Sequence, residues 1–321
     1  MSESEHSKRA VGARLGPMQR RQLLAASLAS PLLTSPATSM TRSSRGEPFN
    51  LPYAPHFGMF KHHAGGDPVA QLEFARAEGF TAWEDNGMGR KSPEQQKLLG
   101  AAMQRLGLQM GVFVCNWNTA WNVSFSSGKK EMVQSFVDEL KGAVETAKRC
   151  GATWMTVVLG NQATNQRQGF QDANAIEMLR RGAEVLEPHG MVMVLEPLNF
   201  RDHPGMFLER SDHAYMLCKA VNSPSVKVLF DIYHQAISEG NLIPNIESCW
   251  DEIGYFQTGD NPGRKEPGTG EINYLNVFKH IHGRGFKGVL GMEHGNSRGG
   301  KDGERAVIDA YRAADDFLGK R

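Results

Sequence analysis

Short apolar segments alternate with longer amphipathic segments along the chain from residue 50 onward. The apolar segments have the length of β-strands, and the segments between them carry apolar residues three and four positions apart, as amphipathic helices do. The strand-like segments are residues 50–54, 80–84, 108–115, 153–160, 191–196, 225–232, 253–258 and 287–293. The helix-like segments include residues 67–79, 129–150, 170–187, 211–221 and 302–319. This pattern predicts eight strand–helix units.

The predicted helices carry boundary signals that agree with the pattern. Asp67-Pro68 and Ser92-Pro93 each place a capping residue directly before a proline, which is typical of a helix start. Glycine stands where four helices should end, at Gly79, Gly107, Gly151 and Gly190. These signals support the assignment of helices between the strands.

Eight strand–helix units predict an α/β fold, a single (β/α)₈ TIM barrel whose sheet closes inside a ring of helices. A doubly wound open sheet is the alternative. That fold would favour a Gly-rich dinucleotide fingerprint after the first strand, and the residues there, F-G-M-F-K-H-H-A-G-G, lack the GxGxxG spacing. We therefore expect residues 46–321 to form one barrel domain.

The first 45 residues differ in composition from the rest of the chain. They hold seven Lys or Arg against two Glu, whereas the remainder is mildly acidic. Arg20-Arg21 precede an apolar segment, and the small residues Ala37-Thr38-Ser39 follow it, which is the order of a secretory signal. The arginine pair resembles a twin-arginine signal. We expect residues 1–45 to be a tail with such a signal peptide, and the protein to be periplasmic or otherwise exported; the alternative is a disordered basic tail on a cytoplasmic protein.

Composition excludes several classes of protein. The chain is 40% hydrophobic and 22% charged, and it has no apolar run near the roughly 18 residues that span a bilayer, so we expect no membrane association after signal removal. The acidic body argues against a nucleic-acid partner. Four widely spaced cysteines fit neither a zinc site nor a disulfide framework, which favours buried free thiols. Whether the protein forms a homo-oligomer is left open.

Oxygen-bearing side chains end four successive predicted strands. Glu196 ends the fifth strand, Asp231 the sixth, Gln257 the seventh and Glu293 the eighth. The carboxyl ends of barrel strands form the rim that carries the active site. Three ionised carboxylates this close repel one another unless a cation lies between them, and oxygen ligands suit Mg²⁺ or Mn²⁺. The sequence therefore predicts a divalent metal site, although a single carboxylate at the end of a strand is commonly a helix N-cap or part of a loop salt bridge.

Other candidates carry weaker signals. His56 and Trp83-Glu84 stand near the ends of the first two strands and are candidates for pocket lining. Residues 117–122, W-N-T-A-W-N, are either a substrate lid or a subunit contact. His294 follows Glu293, and because neighbours on a strand point to opposite faces, a rim or packing role is favoured over direct support of Glu293.

The motifs around the four strand ends resemble the hydroxypyruvate isomerase family. They are E-P-L-N-x(2)-D-x-P-G at residues 196–205, F-D-I-Y-H-Q, G-N-L-I-P-N-I, and Q-T-G-D-N-P-G-R-K-E-P-G-T-G-E-I-N-Y. That family belongs to the xylose isomerase-like barrel superfamily, which also contains sugar epimerases and apurinic endonucleases. The resemblance is strongest over residues 190–295 and consistent in layout from about residue 50.

The resemblance implies a role for each residue of the site. The implied metal ligands are Glu196, Asp231, Gln257 and Glu293; the implied proton carriers, on opposite sides of the substrate, are Glu196 and Glu293; and the implied substrate-binding residues are His234, Arg264 and Asp202. An arginine fork suits the carboxylate of a small keto acid.

The implied activity is a metal-dependent aldose–ketose isomerisation through an enediolate. The implied substrate is hydroxypyruvate, converted to 2-hydroxy-3-oxopropanoate, or a related small sugar or keto acid. A sugar epimerase of the same superfamily and an exported sugar-binding protein without turnover are the alternatives. An abasic-site endonuclease is disfavoured by the acidic body and the export signal.

Overall fold

Eight short parallel strands form the centre of the computed structural model, which describes residues 46–319. The strands are β1 (Tyr53–Ala54), β2 (Ala82–Trp83), β3 (Gln109–Met110), β4 (Trp154–Val157), β5 (Val192–Leu195), β6 (Val226–Asp231), β7 (Ile253–Gln257) and β8 (Leu290–Gly291). Each lies within one of the eight segments that the hydrophobic pattern predicts, so this prediction is confirmed. The predicted signal peptide lies outside the described residues, and the division into tail and barrel domain stays a prediction.

Ten α-helices connect and flank the strands in the described residues. They are α1 (Lys61–Ala64), α2 (Pro68–Ala77), α3 (Pro93–Leu106), α4 (Lys130–Cys150), α5 (Gln168–Leu186), α6 (Ser211–Val221), α7 (Ile232–Ser238), α8 (Leu242–Cys249), α9 (Tyr274–Gly283) and α10 (Gly300–Asp315). Asp67 caps the first turn of α2, and Ser92 and Gln95 form a capping box at α3. Gly107 and Gly151 end α3 and α4 in the left-handed conformation.

Backbone pairing connects the strands into a closed ring. One continuous ladder runs in the order β1, β8, β7, β6, β5 and β4, and β2 pairs with β3. Two isolated bridges join these ladders, His56 to Glu84 beyond β1 and β2, and Val114 to Thr156 between the β3 segment and β4. All of these pairings are parallel. The chain is therefore a TIM barrel, as predicted.

The barrel interior is lined by mostly apolar side chains along the strands and by polar side chains at the carboxyl ends of the strands. A cluster of buried side chains lies there, formed by Ala54, Ala82, Val112, Val194, Leu229, Tyr255 and Val289. Because side chains alternate between the two faces of a strand, the residue two positions further along faces the same interior. That position is Glu196 after Val194, and Asp231 after Leu229. The alternation thus places carboxylates directly above the apolar layer.

The first strand and the last helix are joined at the closure of the barrel. Asp315, at the end of α10, is buried and accepts hydrogen bonds from the Asn50 backbone N–H (2.8 Å) and the Tyr53 hydroxyl (3.1 Å). The Asn50 side-chain amide donates to the Asp315 carbonyl at 2.9 Å. These bonds connect the segment before β1 to the end of α10.

Two further expectations concern the described residues. Within residues 46–319, no helix combines the length and the apolar character that crossing a bilayer requires. Cys115, Cys150, Cys218 and Cys249 are free and buried, as predicted.

Candidate active site

The side chains predicted as metal ligands lie together at the carboxyl end of the barrel. In the ladder, Asp231 is paired with Gln257, and Gln257 with Gly291, two residues before Glu293. Glu196, Asp231, His234 and Glu293 each offer one ligand atom, and these four atoms lie within 4.8 Å of one another. The closed barrel thus brings together groups from β5, β6, β7 and β8, and their roles as ligands stay a prediction.

The carboxylates of this cluster lie in a poorly solvated environment. Burial, together with the charges of Glu293 and Asp231, raises the pKa of Glu196 well above its usual range. Burial also raises the pKa of Glu293, and the neighbouring Arg264 opposes this shift. Negative charge is therefore costly here unless positive charge lies beside it.

The guanidinium of Arg264 lies against two of these carboxylates. Its Nη2 is 2.6 Å from Glu293 Oε2 and 3.3 Å from Asp231 Oδ2, and its Nε donates to the Glu293 carbonyl at 3.1 Å. The ring of Tyr233 lies 4.8 Å below the guanidinium. Arg264 itself has φ +50°, which is uncommon for a residue with a side chain. The surrounding loop must therefore hold it in place.

A buried aspartate organises that loop, residues 258–273. Asp260 Oδ2 accepts hydrogen bonds from the backbone N–H groups of Gly268 (2.8 Å) and Gly270 (2.9 Å). Its Oδ1 accepts from the N–H of Ile272 at 3.1 Å. A Cβ on Gly270 would lie 2.6 Å from Asp260 Oδ1, so this approach requires glycine. The Asp and Gly positions of the quoted motif thus fold the loop and present Arg264.

The partners of Asn199 determine which nitrogen of His234 carries hydrogen. Asn199 Oδ1 accepts from the backbone N–H groups of Arg201 (3.1 Å) and Asp202 (2.9 Å), which orients its amide. Its Nδ2 therefore faces Asp202 Oδ2 (3.0 Å) and His234 Nδ1 (2.7 Å). The Asn199 backbone N–H also points to His234 Nδ1, at 3.2 Å. His234 Nδ1 is thus an acceptor, and in the neutral ring the hydrogen is on Nε2.

His234 is neutral and directs this Nε2–H into the site. Burial lowers its pKa to about 4. Its Nε2 lies 3.5 Å from Asp231 Oδ2 and 3.8 Å from Glu196 Oε1. Arg264 Nη2 is 3.2 Å away and is also a donor, so the two nitrogens share the neighbouring carboxylates instead of bonding to each other. We therefore assign His234 as a hydrogen-bond donor and not as a metal ligand.

Asp202 lies one contact further from the cluster. Its Oδ2 accepts from the Tyr233 hydroxyl at 2.8 Å and from Asn199 Nδ2 at 3.0 Å. Tyr233 packs under Arg264, and Asn199 orients His234. The structure shows Asp202 holding these two side chains, and its predicted contact with substrate stays a prediction.

Two further polar residues of the site come from the end of β2. Glu84 Oε2 accepts from the Tyr255 hydroxyl at 2.7 Å, and its Oε1 accepts from Gln257 Nε2 at 2.9 Å. Burial, together with the charge of Glu293, raises the pKa of Glu84 to about 8. Asn86 Nδ2 donates to Glu293 Oε1 at 2.7 Å. Glu84 ends its strand as the four predicted ligands do, a signal that the sequence offered and that we assigned only to pocket lining.

The weaker candidates lie around the cluster. Trp83 is fully buried and packs on Phe57, with ring centroids 4.8 Å apart, so it belongs to the core. His294 is buried against the Tyr311 hydroxyl (2.9 Å), which agrees with a packing role. In the segment 117–122, Trp121 is half exposed, and its ring stacks on His203 with centroids 5.8 Å apart.

The donor set fits a divalent cation that prefers oxygen ligands. Gln257 is fully buried, its Nε2 is bonded to Glu84, and its Oε1 has no hydrogen-bond partner among the described residues. A buried carbonyl oxygen without a partner costs free energy, which a bound cation would offset. The three carboxylates of Glu196, Asp231 and Glu293 and this neutral oxygen are the hard ligands that Mg²⁺ and Mn²⁺ accept.

Comparison with known proteins identifies similar chains. The family model described as xylose isomerase-like TIM barrel matches residues 72–316. The hydroxypyruvate isomerase of Escherichia coli (strain K12) is 33% identical over 161 residues, which is 50% of this chain and 62% of that protein. The 2-oxo-tetronate isomerase of Cupriavidus necator is 34% identical over 146 residues, 43% of this chain and 56% of that protein. The matched part of the chain thus spans about three fifths of the length of these curated relatives.

A solved structure supports the fold. The crystal structure of an AP endonuclease, family 2, from Brucella melitensis superposes with a TM-score of 0.68 and 23% identity, covering 84% of this chain and 99% of that chain. At this identity the likeness supports the barrel architecture alone.

Proposed function

The chain belongs to the xylose isomerase-like TIM barrel family, and we propose that it is a divalent-cation-dependent aldose–ketose isomerase. Its proposed substrate is a small 2-oxo acid with a neighbouring hydroxyl group, of the hydroxypyruvate type. The curated relatives named hydroxypyruvate isomerase and 2-oxo-tetronate isomerase support this class of substrate, since both names describe a 2-oxo acid.

One observation carries the proposal. Three carboxylates lie together at the rim of the barrel, the neighbouring strand carries a buried amide oxygen that has no partner within residues 46–319, and two of the carboxylates, Glu196 and Glu293, have raised pKa values. A carboxyl group whose pKa lies closer to neutral can both take and return a proton. The same cluster thus supplies a cation site and two candidate proton carriers.

The proposed reaction moves one proton between adjacent carbons. When bound by Glu196, Asp231, Gln257 and Glu293, a divalent cation supplies Lewis-acid stabilisation of the charge that develops on two neighbouring oxygens. One glutamate removes the proton from C3 of hydroxypyruvate, which gives an enediolate, and the other glutamate returns a proton to C2. The hydroxyl hydrogen passes from O3 to O2, so the product is an isomer with its carbonyl group at C3.

Two residues of this chain are suited to hold the substrate. The guanidinium of Arg264 can bind the carboxylate of a 2-oxo acid through two parallel hydrogen bonds. The Nε2–H of neutral His234 can donate to a substrate oxygen without adding charge. His234 is positioned by Asn199 and needs little rearrangement on binding. Arg264 Nε is held by the Glu293 carbonyl, and its Nη2 must give up the proposed cation ligands Glu293 and Asp231 when cation and substrate bind.

The exchange of substrate hydrogen with solvent tests the proposal. We expect the protein loaded with Mn²⁺ or Mg²⁺ to incorporate deuterium from D₂O into hydroxypyruvate or 2-oxo-tetronate, and to move the carbonyl group. Glu196→Gln and Glu293→Gln should each lower the exchange rate by about 10²- to 10⁴-fold, because the amide cannot carry the proton. NMR of the substrate measures both exchange and product.

Glu177→Gln is the matched control, because this glutamate is exposed on the outer surface of α5. It should leave the exchange rate unchanged. An epimerase would return the proton to the same carbon without moving the carbonyl group. A protein that only binds sugar would show no exchange. Failure of the metal-loaded protein to exchange hydrogen in any 2-oxo acid or sugar tested would contradict an isomerase.

A further inference from the structure

Glu84 is a buried carboxylate beside the proposed cation site that has no role in the reaction described above. It is almost fully buried, and both of its oxygens have partners, Tyr255 Oη at 2.7 Å and Gln257 Nε2 at 2.9 Å. Glu84 contributes no atom to the group of four candidate ligand atoms that lie within 4.8 Å of one another. Its position between a tyrosine and the amide of a proposed ligand requires another explanation.

The backbone around Glu84 leaves room for this carboxylate. A Cβ on Gly291, in β8, would lie 1.9 Å from Glu84 Oε2. A Cβ on Gly111, just after β3, would lie 2.2 Å from the Tyr255 hydroxyl oxygen. Real Cβ atoms do not approach other atoms so closely, so glycine at both positions is a condition for the Glu84–Tyr255 pair. Two strands therefore lack a side chain where this pair lies.

The hydrogen bond from Gln257 to Glu84 determines which end of the amide faces the site. An amide has one end that donates and one that accepts, and only its oxygen can bind a cation. Since Nε2 is held by Glu84 Oε1, the Gln257 oxygen is directed elsewhere, and it has no partner among the described residues. Glu84 Oε1 stays an acceptor whether or not Oε2 carries hydrogen, because the Tyr255 hydroxyl can either donate or accept.

We infer that Glu84 is a positioning residue that holds the Gln257 amide with its oxygen toward the cation and its NH₂ group away from it. The inference rests on the proposed cation site. Without an acceptor at position 84, the amide can rotate and present NH₂ to the cation, which removes one ligand and adds repulsion. Residues that orient metal ligands in this way typically change metal affinity by about 10- to 100-fold when they are replaced.

Calorimetric titration with Mn²⁺ at constant pH, on the full chain after chelator treatment, tests this role. The proteins are wild type, Glu84→Met, Gln257→Glu and the double variant Glu84→Met/Gln257→Glu. Glu84→Met keeps the length of the side chain but removes the acceptor for Gln257 Nε2, so Mn²⁺ should bind about 10- to 100-fold more weakly. Thermal unfolding in chelator checks that each protein is folded.

The double variant should restore affinity to within about threefold of wild type, because a carboxylate at position 257 presents oxygen in either orientation and needs no acceptor to orient it. Gln257→Glu alone is the control for added charge. It should not bind Mn²⁺ more tightly than wild type, because it places two carboxylates against each other. A purely packing role of Glu84 would not produce a recovery of Mn²⁺ affinity that appears only in the double variant.

Three results would overturn the inference. The first is wild-type affinity in folded Glu84→Met. The second is weak binding by the folded double variant, which also decides the question if Glu84→Met does not fold. The third is an equal gain from Gln257→Glu in both backgrounds, which would be a charge effect. Each of these leaves the proposed cation site standing if wild type binds Mn²⁺, whereas a wild type that binds no Mn²⁺ would overturn the cation site and the role of Glu84 together.

Discussion

Both ring nitrogens of His234 face groups whose hydrogen-bonding role is known. Asn199 donates twice to Nδ1, and Asp231 and Glu196 lie beside Nε2. Burial outweighs these carboxylates, and the ring is neutral, with a pKa of about 4. A neutral donor suits a site where a substrate oxygen must be bound without competition from a second cationic group.

This lowered pKa predicts a loss of stability in mild acid. Below the ordinary histidine pKa of 6.5, His234 takes up a proton in the unfolded chain but not in the folded protein. Its contribution to the free energy of unfolding therefore falls as the pH falls from 6.5 toward 4. From pH 7 to pH 5, wild type should lose about 2 kcal/mol more unfolding free energy than His234→Gln does. Urea unfolding in chelator at both pH values measures it.

A pH-independent difference between wild type and His234→Gln would contradict the prediction. His189→Gln is the control, since this histidine is exposed in the turn after α5. It shows whether replacing a histidine outside the site also produces such a shift.

At the level of elements, the loop of residues 258–273 depends on one carboxylate. Asp260 accepts three backbone hydrogen bonds and is fully buried. In Asp260→Asn one oxygen becomes an NH₂ group that faces backbone N–H donors, so the loop should lose its fixed shape. Because Arg264 is held by this loop, we expect KM for the 2-oxo acid to rise by about tenfold or more, with a smaller effect on kcat.

Steady-state kinetics with the substrate found by hydrogen exchange measure this change. Asp138→Asn, on the exposed face of α4, is the control and should leave KM unchanged. An unchanged KM in Asp260→Asn would show that the loop holds Arg264 without this carboxylate.

A second element-level prediction concerns glycine in β8. Gly291→Ala would place a Cβ 1.9 Å from Glu84 Oε2, so it should destabilise the fold by about 1–3 kcal/mol or more and weaken Mn²⁺ binding. Gly142→Ala is the matched control. Gly142 is exposed in the interior of α4 with open space at its Cβ, so alanine should stabilise the protein by about 0.5–1 kcal/mol. Urea unfolding distinguishes the two signs, and a stabilising Gly291→Ala would contradict the close approach.

The strands illustrate what a hydrophobic pattern predicts and what it does not. The apolar segment 108–115 predicts a long third strand, but β3 covers only Gln109–Met110. The backbone continues along the barrel, with the Gly111 N–H bonded to one neighbouring strand and the Cys115 N–H to the other, at Thr156. Apolar residues report burial on both faces. They do not report which neighbour receives each backbone hydrogen bond, so the ladder is shorter than the pattern.

For the whole molecule, barrel closure explains which part of the site geometry the sequence indicates and which part it does not. Strand ends on consecutive units must meet at one rim, so four candidate ligands could be identified from β5 to β8 without coordinates. Glu84 meets Tyr255 and Gln257 across the barrel interior, 171 and 173 positions along the chain. That contact depends on how far the sheet curls and on the glycine at position 291, which no local pattern specifies.

The basic segment at residues 1–45 leads to a prediction about the cellular location of the protein. We propose that the chain is exported in a folded state, on the strength of Arg20-Arg21 and the signal-like order that follows them. Replacing both arginines by lysine should retain the protein in the cytoplasm without changing its positive charge. Cell fractionation and immunoblotting measure this, with Arg42→Lys as the control. Equal export of the double lysine variant would argue for a basic tail instead.

The hydrogen bonds between Asn50 and Asp315 bring the two ends of the barrel within bonding distance. A peptide link between these two ends could therefore replace the connection at an exposed helix-to-strand turn, which lies on the same rim of the barrel. A circular permutant that links residue 319 to residue 46 through a short Gly/Ser linker and begins at Ala152, after the exposed turn at Gly151, should fold and bind Mn²⁺ as wild type does. The order of the eight units along the gene would then be separable from their order around the ring.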